Sequence, residues 1–564
     1  MISEFKIGNF KAFGPAQTIP LRPITLVFGP NSAGKSSIIQ SLLLARHIHD
    51  TGNVDAHQTT LGGAAVDLGG FAKYVRNRDV GYETTIRLSF DRAEIRGKFE
   101  EIGDFKALSL KYTIGKSRVA GPSRTEQVMI TSVTMLLDRR AMFCIIRKED
   151  GSLRMDVDAM RTRLEENRTE LESDEDFGAM FIAYLSARME EWTDAKFAIQ
   201  GLSLKVLNPL PRENHDLDVY AEQGAVDQPG RDPHGFFTRV FKSWTDEEPK
   251  SGVIKAMVER YEFECLLEAA NEAIDEAFKS ASYLGPLRWI PPRLIPDGEQ
   301  FDASWAAGGG AAWQRLRSEP ELLGRVNRFL QETLHSQYRL RCQNLVPELD
   351  AETFALCIKR AQDHSAPKLS DDTATSRVAE DAQPYGAAKA DAPDFSALQA
   401  ELLSQNSGGK LAELSLVDAE SGLAVSHRDV GTGISQILPV LVNAAGGKNQ
   451  LIAIEQPELH LHPALQAELG DVFIESALGE NKNTFLIETH SEHLILRLLR
   501  RIRETAEGEL PPGATPLRPE DVAVLYVKPG SEGSEVIELP VNLEGDFDKP
   551  WPDGFFHERA KELF

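Results

Sequence analysis

The stretch ITLVFGPNSAGKSSIIQSLLLARHI, residues 24–48, decides how the rest of the chain is read. ITLVF (24–28) is a short apolar run rich in β-branched residues, the composition of a buried strand. SSIIQSLLLARHI (36–48) carries Ile38, Ile39, Leu42, Leu43 and Leu44 at helical spacing. Between them lies GPNSAGK. Gly29, four residues, then Gly34, Lys35 and Ser36 form the Walker A pattern. Small residues at Asn31, Ser32 and Ser37 and glycines at 29 and 34 let successive backbone N–H groups turn inward around a polyphosphate. The helix that follows aims its N-terminal dipole at the same anion. Lys35 is placed to reach the β- and γ-phosphates, and the Ser36 hydroxyl to ligate magnesium. Four fixed positions match by chance in a chain of this size roughly 2% of the time, and the flanking strand and helix lower that further.

Composition narrows the alternatives. The chain has 564 residues with 62 basic and 86 acidic ones, a formal charge of −24. Such a balance excludes nucleic-acid binding by bulk charge, so any DNA contact requires a local basic groove. A hydrophobic share of 41% and a charged share of 26% are those of a globular chain. The four cysteines, Cys144, Cys265, Cys342 and Cys357, form no close pair of the zinc-site kind and read as reduced thiols. The N-terminus has no signal-peptide pattern, and no run approaches the ~18 apolar residues of a membrane helix. A cytoplasmic protein without membrane partners is expected.

The chain divides by pattern into five parts. Residues 1–157 form an N-terminal lobe with the phosphate loop and, from 80 onward, alternating segments (ETTIRLSF, ALSLKYTI, VMITSVTMLL, AMFCIIR, SLRMDV) that predict an antiparallel sheet. Residues 158–280 read as an acidic, largely helical insertion, and 281–360 as a helical and strand return. Residues 361–394, rich in Ala and Asp with three prolines, read as a flexible insertion. Residues 395–564 form a C-terminal lobe with two hairpins, LAELSLVDAESGLAVSHRDV and VAVLYVK with EVIELPV.

That lobe supplies partners for the phosphate loop. LIAIEQPE (451–458) is an apolar strand ending in an acid, Glu455, the design that delivers a carboxylate to a magnesium shell. DVGTGISQ (429–436) offers Gly431 and Gly433 for close backbone approach, with Ser435 and Gln436 opening a helix that can hold a γ-phosphate. FLIETHS (485–491) is another apolar strand, ending at Thr489 and His490.

In this order the elements resemble an ATP-binding-cassette head: Walker A, signature, Walker B, switch histidine. More closely they resemble the OLD/RecF-like ATPases of bacterial antiviral and recombination proteins. The strings that carry the likeness are NFKAFGPAQTIPLRPITLVFGPNSAGKSS, YLGPLR, VGTGISQILPVL, IEQPELHLHP, ETHSEHLILRLLRRI and WPDGFF, covering about 1–80, 281–345 and 410–564. The resemblance implies an α/β P-loop fold of the head type: a mixed sheet, an antiparallel β subdomain and a helical insertion. It also implies a homodimer or higher assembly that sandwiches ATP and Mg2+. In that assembly Gly34, Lys35 and Ser36 bind in cis, while Gly431, Gly433 and Ser435 touch the γ-phosphate of the facing subunit. His490 senses the same phosphate, Glu455 sits on magnesium, and LHLHP (459–463) lies near the seam. The Toprim nuclease domain of OLD-type enzymes is not expected in the roughly 70 residues after His490.

One position departs from the cassette pattern. The residue after the magnesium acid is Gln456, where many such enzymes carry a glutamate. An amide orients a water but cannot accept its proton, and lost general-base help costs on the order of 10²–10⁴-fold. Slow hydrolysis is expected, with Glu458 or His490 as alternative bases. Two functions stay open: an ATP hydrolase in defence or DNA repair, with possible DNA contact, and an ATP-dependent switch that gates a separate effector protein. The basic string RLLRRIR (497–503) is read as a solvated helix face, with phosphate contact as its alternative.

Overall fold

The structure, a computed structural model, describes residues 2–92, 106–118, 126–138, 140–147, 153–155, 272–290, 294–296, 303–345, 411–426, 430 and 432–554. The insertion expected over 158–280 lies outside the described residues as far as 271, the stretch 361–394 lies wholly outside them, and so does Gly431.

A six-stranded sheet organises the molecule. Its strands run in the order Ser282–Leu284, Leu451–Glu455, Thr484–Glu488, Ile24–Phe28, Val522–Lys528, Glu535–Glu538. All neighbours pair in parallel except the last, an antiparallel hairpin. Each inner strand is apolar on both faces, and its side chains divide by parity. Ile24, Leu26 and Phe28 enter one core with Ile452, Ile454, Phe485, Ile487, Val522 and Val524. Val27, Leu451, Ala453, Leu486, Leu525 and Val527 enter the other.

The first core is closed by the helices Thr432–Ala445, Pro463–Leu478 and Glu492–Glu507, together with the shorter helices Gly310–Ser318 and Pro320–Arg328. The second core is closed by the helix Lys35–Thr51 and by a seven-stranded antiparallel sheet. Full burial of each Leu, Ile or Phe there contributes about 1.5–3 kcal/mol.

The antiparallel sheet contains the segments expected over 80–157, from Thr84–Asp91 to Leu153–Met155. It also recruits Ile2–Gly8 and Gln17–Pro20 as its last two strands. The N-terminus therefore serves the β layer before the chain enters the central sheet, a use that its sequence did not announce. Both C-terminal hairpins form as expected, Leu411–Asp418 with Ala424–Val425 and Val522–Lys528 with Glu535–Glu538. This is an α/β P-loop fold in which, among the described residues, a mixed six-stranded sheet and a seven-stranded antiparallel sheet are joined by smaller antiparallel sheets of four and two strands.

Candidate functional site

The central strand Ile24–Phe28 delivers the phosphate loop to the carboxyl edge of the sheet, and the helix Lys35–Thr51 leaves it. Two glycines are required there. Gly29 has φ 145° and Gly34 φ 105°. A β-carbon at Gly29 would lie 2.6 Å from the Val527 carbonyl oxygen, and one at Gly34 2.6 Å from the Ala12 β-carbon. The hairpin tip after Val522–Lys528 braces the loop from outside: Ser534 Oγ donates to the Ala33 carbonyl at 2.6 Å, and the Ser534 N–H to Ala12 at 2.9 Å.

Lys35 is buried, and its ammonium donates to the carbonyls of Gly29 (3.1 Å) and Pro30 (3.0 Å). It lies inside its own loop, where burial lowers its pKa against the opposing charge of Glu488. A cleft of about 350 Å³ opens over the loop, lined by Asn31, Ser32, Gly34, Lys35, Ser36 and Ser37 from the loop and helix. Lys11, Ala12, Gln40, Gln456, Glu488 and His490 complete the lining.

Two acids end adjacent parallel strands in matched register, Glu455 opposite Glu488. Ser36 Oγ donates to Glu488 Oε2 at 2.7 Å, and Tyr283 Oη donates to Glu455 Oε1 at 2.9 Å. The sequence reading assigned the cation to Ser36 and Glu455. In the structure Ser36 meets both acids: Glu488, which lines the cleft, and Glu455, which ends the next strand and whose pKa the Ser36 hydroxyl helps hold down. Burial, then the charge of Glu488, pushes Glu455 up to about 7. Burial likewise raises Glu488. Two mutually repelling carboxylates beside a hydroxyl are a donor set suited to a hard divalent cation, which takes one or two protein carboxylates and completes its shell with phosphate and water oxygens. Among the described residues no cluster of three or more His, Cys, Asp or Glu suggests an all-protein metal cage.

The turn after Glu455 sets the remaining candidates. Gln456 adopts a left-handed conformation, φ 46°, with its N–H on the Glu488 carbonyl at 2.7 Å, and its side chain lines the cleft. Glu458 is buried and does not line the cleft. Its two oxygens accept from Thr489 Oγ1 at 2.8 Å and from the His490 N–H at 2.7 Å. That use of both oxygens fits Glu458 for shaping the 489–490 turn rather than for drawing a proton from water. His490 does line the cleft; burial, then the charge of Lys35, lowers its pKa.

The signature segment is elsewhere. Gly433, Ser435 and Gln436 are not among the residues lining the cleft, and Gly431 lies outside the described residues. Ser435 and Gln436 are buried at the start of their helix. A β-carbon on Gly433 would lie 2.8 Å from the His460 carbonyl oxygen, so the signature packs against LHLHP. His460 is exposed at φ 64°, and His462 caps the next helix, accepting from the Ala464 N–H at 3.3 Å. In RLLRRIR, Arg497 and Arg501 pair with Asp471, and Arg500 and Arg501 with Glu504.

Sequence reasoning missed four residues. Glu488 ends FLIE just as Glu455 ends LIAIE, so the signal was present as a repeated pattern. Lys11, at φ 47°, lines the cleft and donates to Gln40 Oε1 at 2.6 Å. Tyr283 and Arg288 belong to YLGPLR. The Arg288 Nη2 donates to the carbonyls of Glu455 (2.8 Å) and Gln456 (3.1 Å), and burial lowers its guanidinium to about 10.

Among known families, residues 326–495 match the model of an AAA ATPase domain, 4–177 an AAA domain, and 517–564 a protein of unknown function (DUF3696). The second match includes the cleft residues Lys35 and Ser36, and the first includes Gln456, Glu488 and His490. The chain matches no curated protein. Among solved structures it is similar to the Smc head domain with an extended coiled coil bound to the C-terminal domain of ScpA from Pyrococcus furiosus, at 11% identity and TM-score 0.34 over 100% of this chain and 98% of that one. It is also similar to the SMC head domain from Thermotoga maritima, at 10% identity and TM-score 0.33 over 96% and 99%. The two matched segments are similar to AAA-type ATPase domains. Among the described residues no helix is long and apolar enough to cross a membrane.

Proposed function

We propose that this chain binds ATP with magnesium over the phosphate loop and hydrolyses it slowly. We read it as a head module that pairs with a second copy and works in bacterial defence or DNA repair. The observation that carries the reading is the meeting, in one cleft, of Lys35 and Ser36 with Glu488, Gln456 and His490 from the far end of the chain.

Roles follow from chemistry. The loop N–H groups and the helix N-terminus hold the phosphates. Lys35 rests on the Gly29 and Pro30 carbonyls and turns to a phosphate oxygen once one is offered. Ser36, Glu488 and Glu455 would hold magnesium, which neutralises charge developing on the β- and γ-oxygens. Gln456 orients the attacking water through its amide without taking its proton. Positioning carries most of phosphoryl transfer, whose transition state is loose, so turnover is slow rather than absent. What supports pairing is the placement of Gly433 and Ser435 away from this cleft, which leaves the signature segment to serve the nucleotide of a second copy. ATP turnover by the purified chain tests the reading. Loss of turnover in Lys35→Ala supports it, and turnover that survives Lys35→Ala refutes it.

Gln456 also favours a second reading, an ATP-locked switch that gates a separate effector and uses turnover as a timer. Stimulation of turnover by duplex DNA supports the first reading. Indifference to DNA with ATP-dependent retention of a partner protein supports the second.

A further inference from the structure

Arg288 is 6% exposed, and the charges of the buried acids Glu458 and Glu455 only partly offset its burial. Among the described residues its Nε and Nη1 meet no acceptor. Its Nη2 donates to two backbone carbonyls, those of Glu455 at 2.8 Å and Gln456 at 3.1 Å. A buried guanidinium whose hydrogen-bond acceptors are backbone carbonyls is an expensive way to fill space, and an apolar side chain of similar volume is often as stable or more so. The carbonyls it holds flank Gln456, which shares a positive φ with Lys11 and Ser32 in the cleft wall. Gln456 sits at φ 46°, a conformation costly for a residue with a β-carbon. Its N–H is fixed on Glu488 and its carbonyl on Arg288, so the peptide is clamped from both sides. Arg288 is itself held: its carbonyl accepts from Gln436 Nε2 at 3.1 Å, at the start of the signature helix.

We propose that Arg288 is a positioning residue for ATP hydrolysis: it fixes the left-handed backbone of Gln456 so that the amide faces the cleft, and through Gln436 it ties that placement to the signature helix. The proposal rests on the ATPase reading above. It assigns YLGPLR a task in the chemistry, distinct from nucleotide binding.

The test compares Arg288→Met and Arg288→Lys in the full chain. Arg288→Met should lower kcat about 10²-fold, the usual scale for a misplaced reacting geometry, while affinity for a fluorescent ATP analogue with Mg2+ stays within about threefold. Lys, which can reach both carbonyls from one ammonium, should recover most of the rate. Amide hydrogen exchange of a peptide spanning 451–461 should quicken about tenfold in Arg288→Met. An unchanged kcat, an affinity that falls in step with kcat, or Lys no better than Met overturns the proposal. If Arg288→Met does not fold, Gln436→Met carries the same comparison, with a lowered kcat at unchanged affinity supporting the proposal and an unchanged kcat refuting it. If the wild-type chain shows no turnover above Lys35→Ala, the ATPase reading has failed. The exchange measurement then decides the placement alone, since unchanged exchange refutes the clamp and quickened exchange retains it.

Discussion

Ser36 Oγ lies 2.7 Å from Glu488 Oε2, although 452 residues separate them in the chain. That contact joins the start of the phosphate-loop helix to the end of a strand from the opposite lobe. Glu488 lines the cleft, with Glu455 beside it on the next strand.

A comparison of the two acids follows. Glu488→Gln should weaken the Mg2+ dependence of ATP binding about 100-fold and Glu455→Gln about tenfold, the range seen when a ligand or the group behind it is lost. Magnesium titrations at fixed nucleotide measure both. A larger effect from Glu455→Gln would restore Glu455 as the principal ligand.

Gln456→Glu places a proton acceptor where an amide now lies. It should raise kcat about tenfold or more, within the span attributed to general-base help. Glu458→Gln, which loses an anionic acceptor for the Thr489 hydroxyl and the His490 N–H, should lower the midpoint of thermal unfolding as well as the rate. An inert Gln456→Glu together with a dead but fully stable Glu458→Gln would move the base to Glu458.

Stability should depend on pH through Glu455. Its ordinary value is 4.5 and the fold raises it to about 7. Between those values the folded chain keeps a proton that the unfolded chain has released. Without metal, stability is therefore greatest below the lower value and declines as pH rises to the upper one, by at most roughly 3 kcal/mol. Chemical denaturation in chelator across that range measures the slope. Glu455→Gln should lessen it, leaving the part due to Glu488 and Glu458, which burial also raises.

Trp551 packs edge-on against Phe28 at 5.2 Å and against Phe547 at 5.1 Å, with Tyr526 at 6.2 Å. Phe28 is the residue before Gly29. Trp551→Ala should cost about 2 kcal/mol, from lost aromatic pairing and partial burial, and should weaken ATP binding through the loop. Unfolding midpoints and nucleotide titration report the two effects, and an unchanged affinity would confine Trp551 to stability.

The phosphate loop was legible because all its requirements are local: glycines where φ is positive, a lysine and a serine at fixed offsets, a strand before and a helix after. The antiparallel strands were legible for the same reason, as in Thr84–Asp91, where Ile86, Leu88 and Phe90 are buried and Thr85 and Arg87 are not. Glu488 was not. LIAIE and FLIE are interchangeable as strings, and the pairing of both strands around Ile24–Phe28 decides which acid lines the cleft. YLGPLR was visible as a string, but its task depends on Tyr283 and Arg288 reaching partners 172 and 167 residues away.

The strand Ile24–Phe28 has Thr484–Glu488 on one side and Val522–Lys528 on the other. During synthesis from the N-terminus, both its edges wait for neighbours that follow it in the chain by more than 450 residues. Until then its backbone donors and acceptors are open to the wrong strands. The nucleotide pocket thus cannot assemble before both neighbours have emerged, and a chain stopped short of them has the loop but not the site. Folding in the cell should depend on chaperones that shield this strand, and early termination should yield aggregates rather than a partly active lobe.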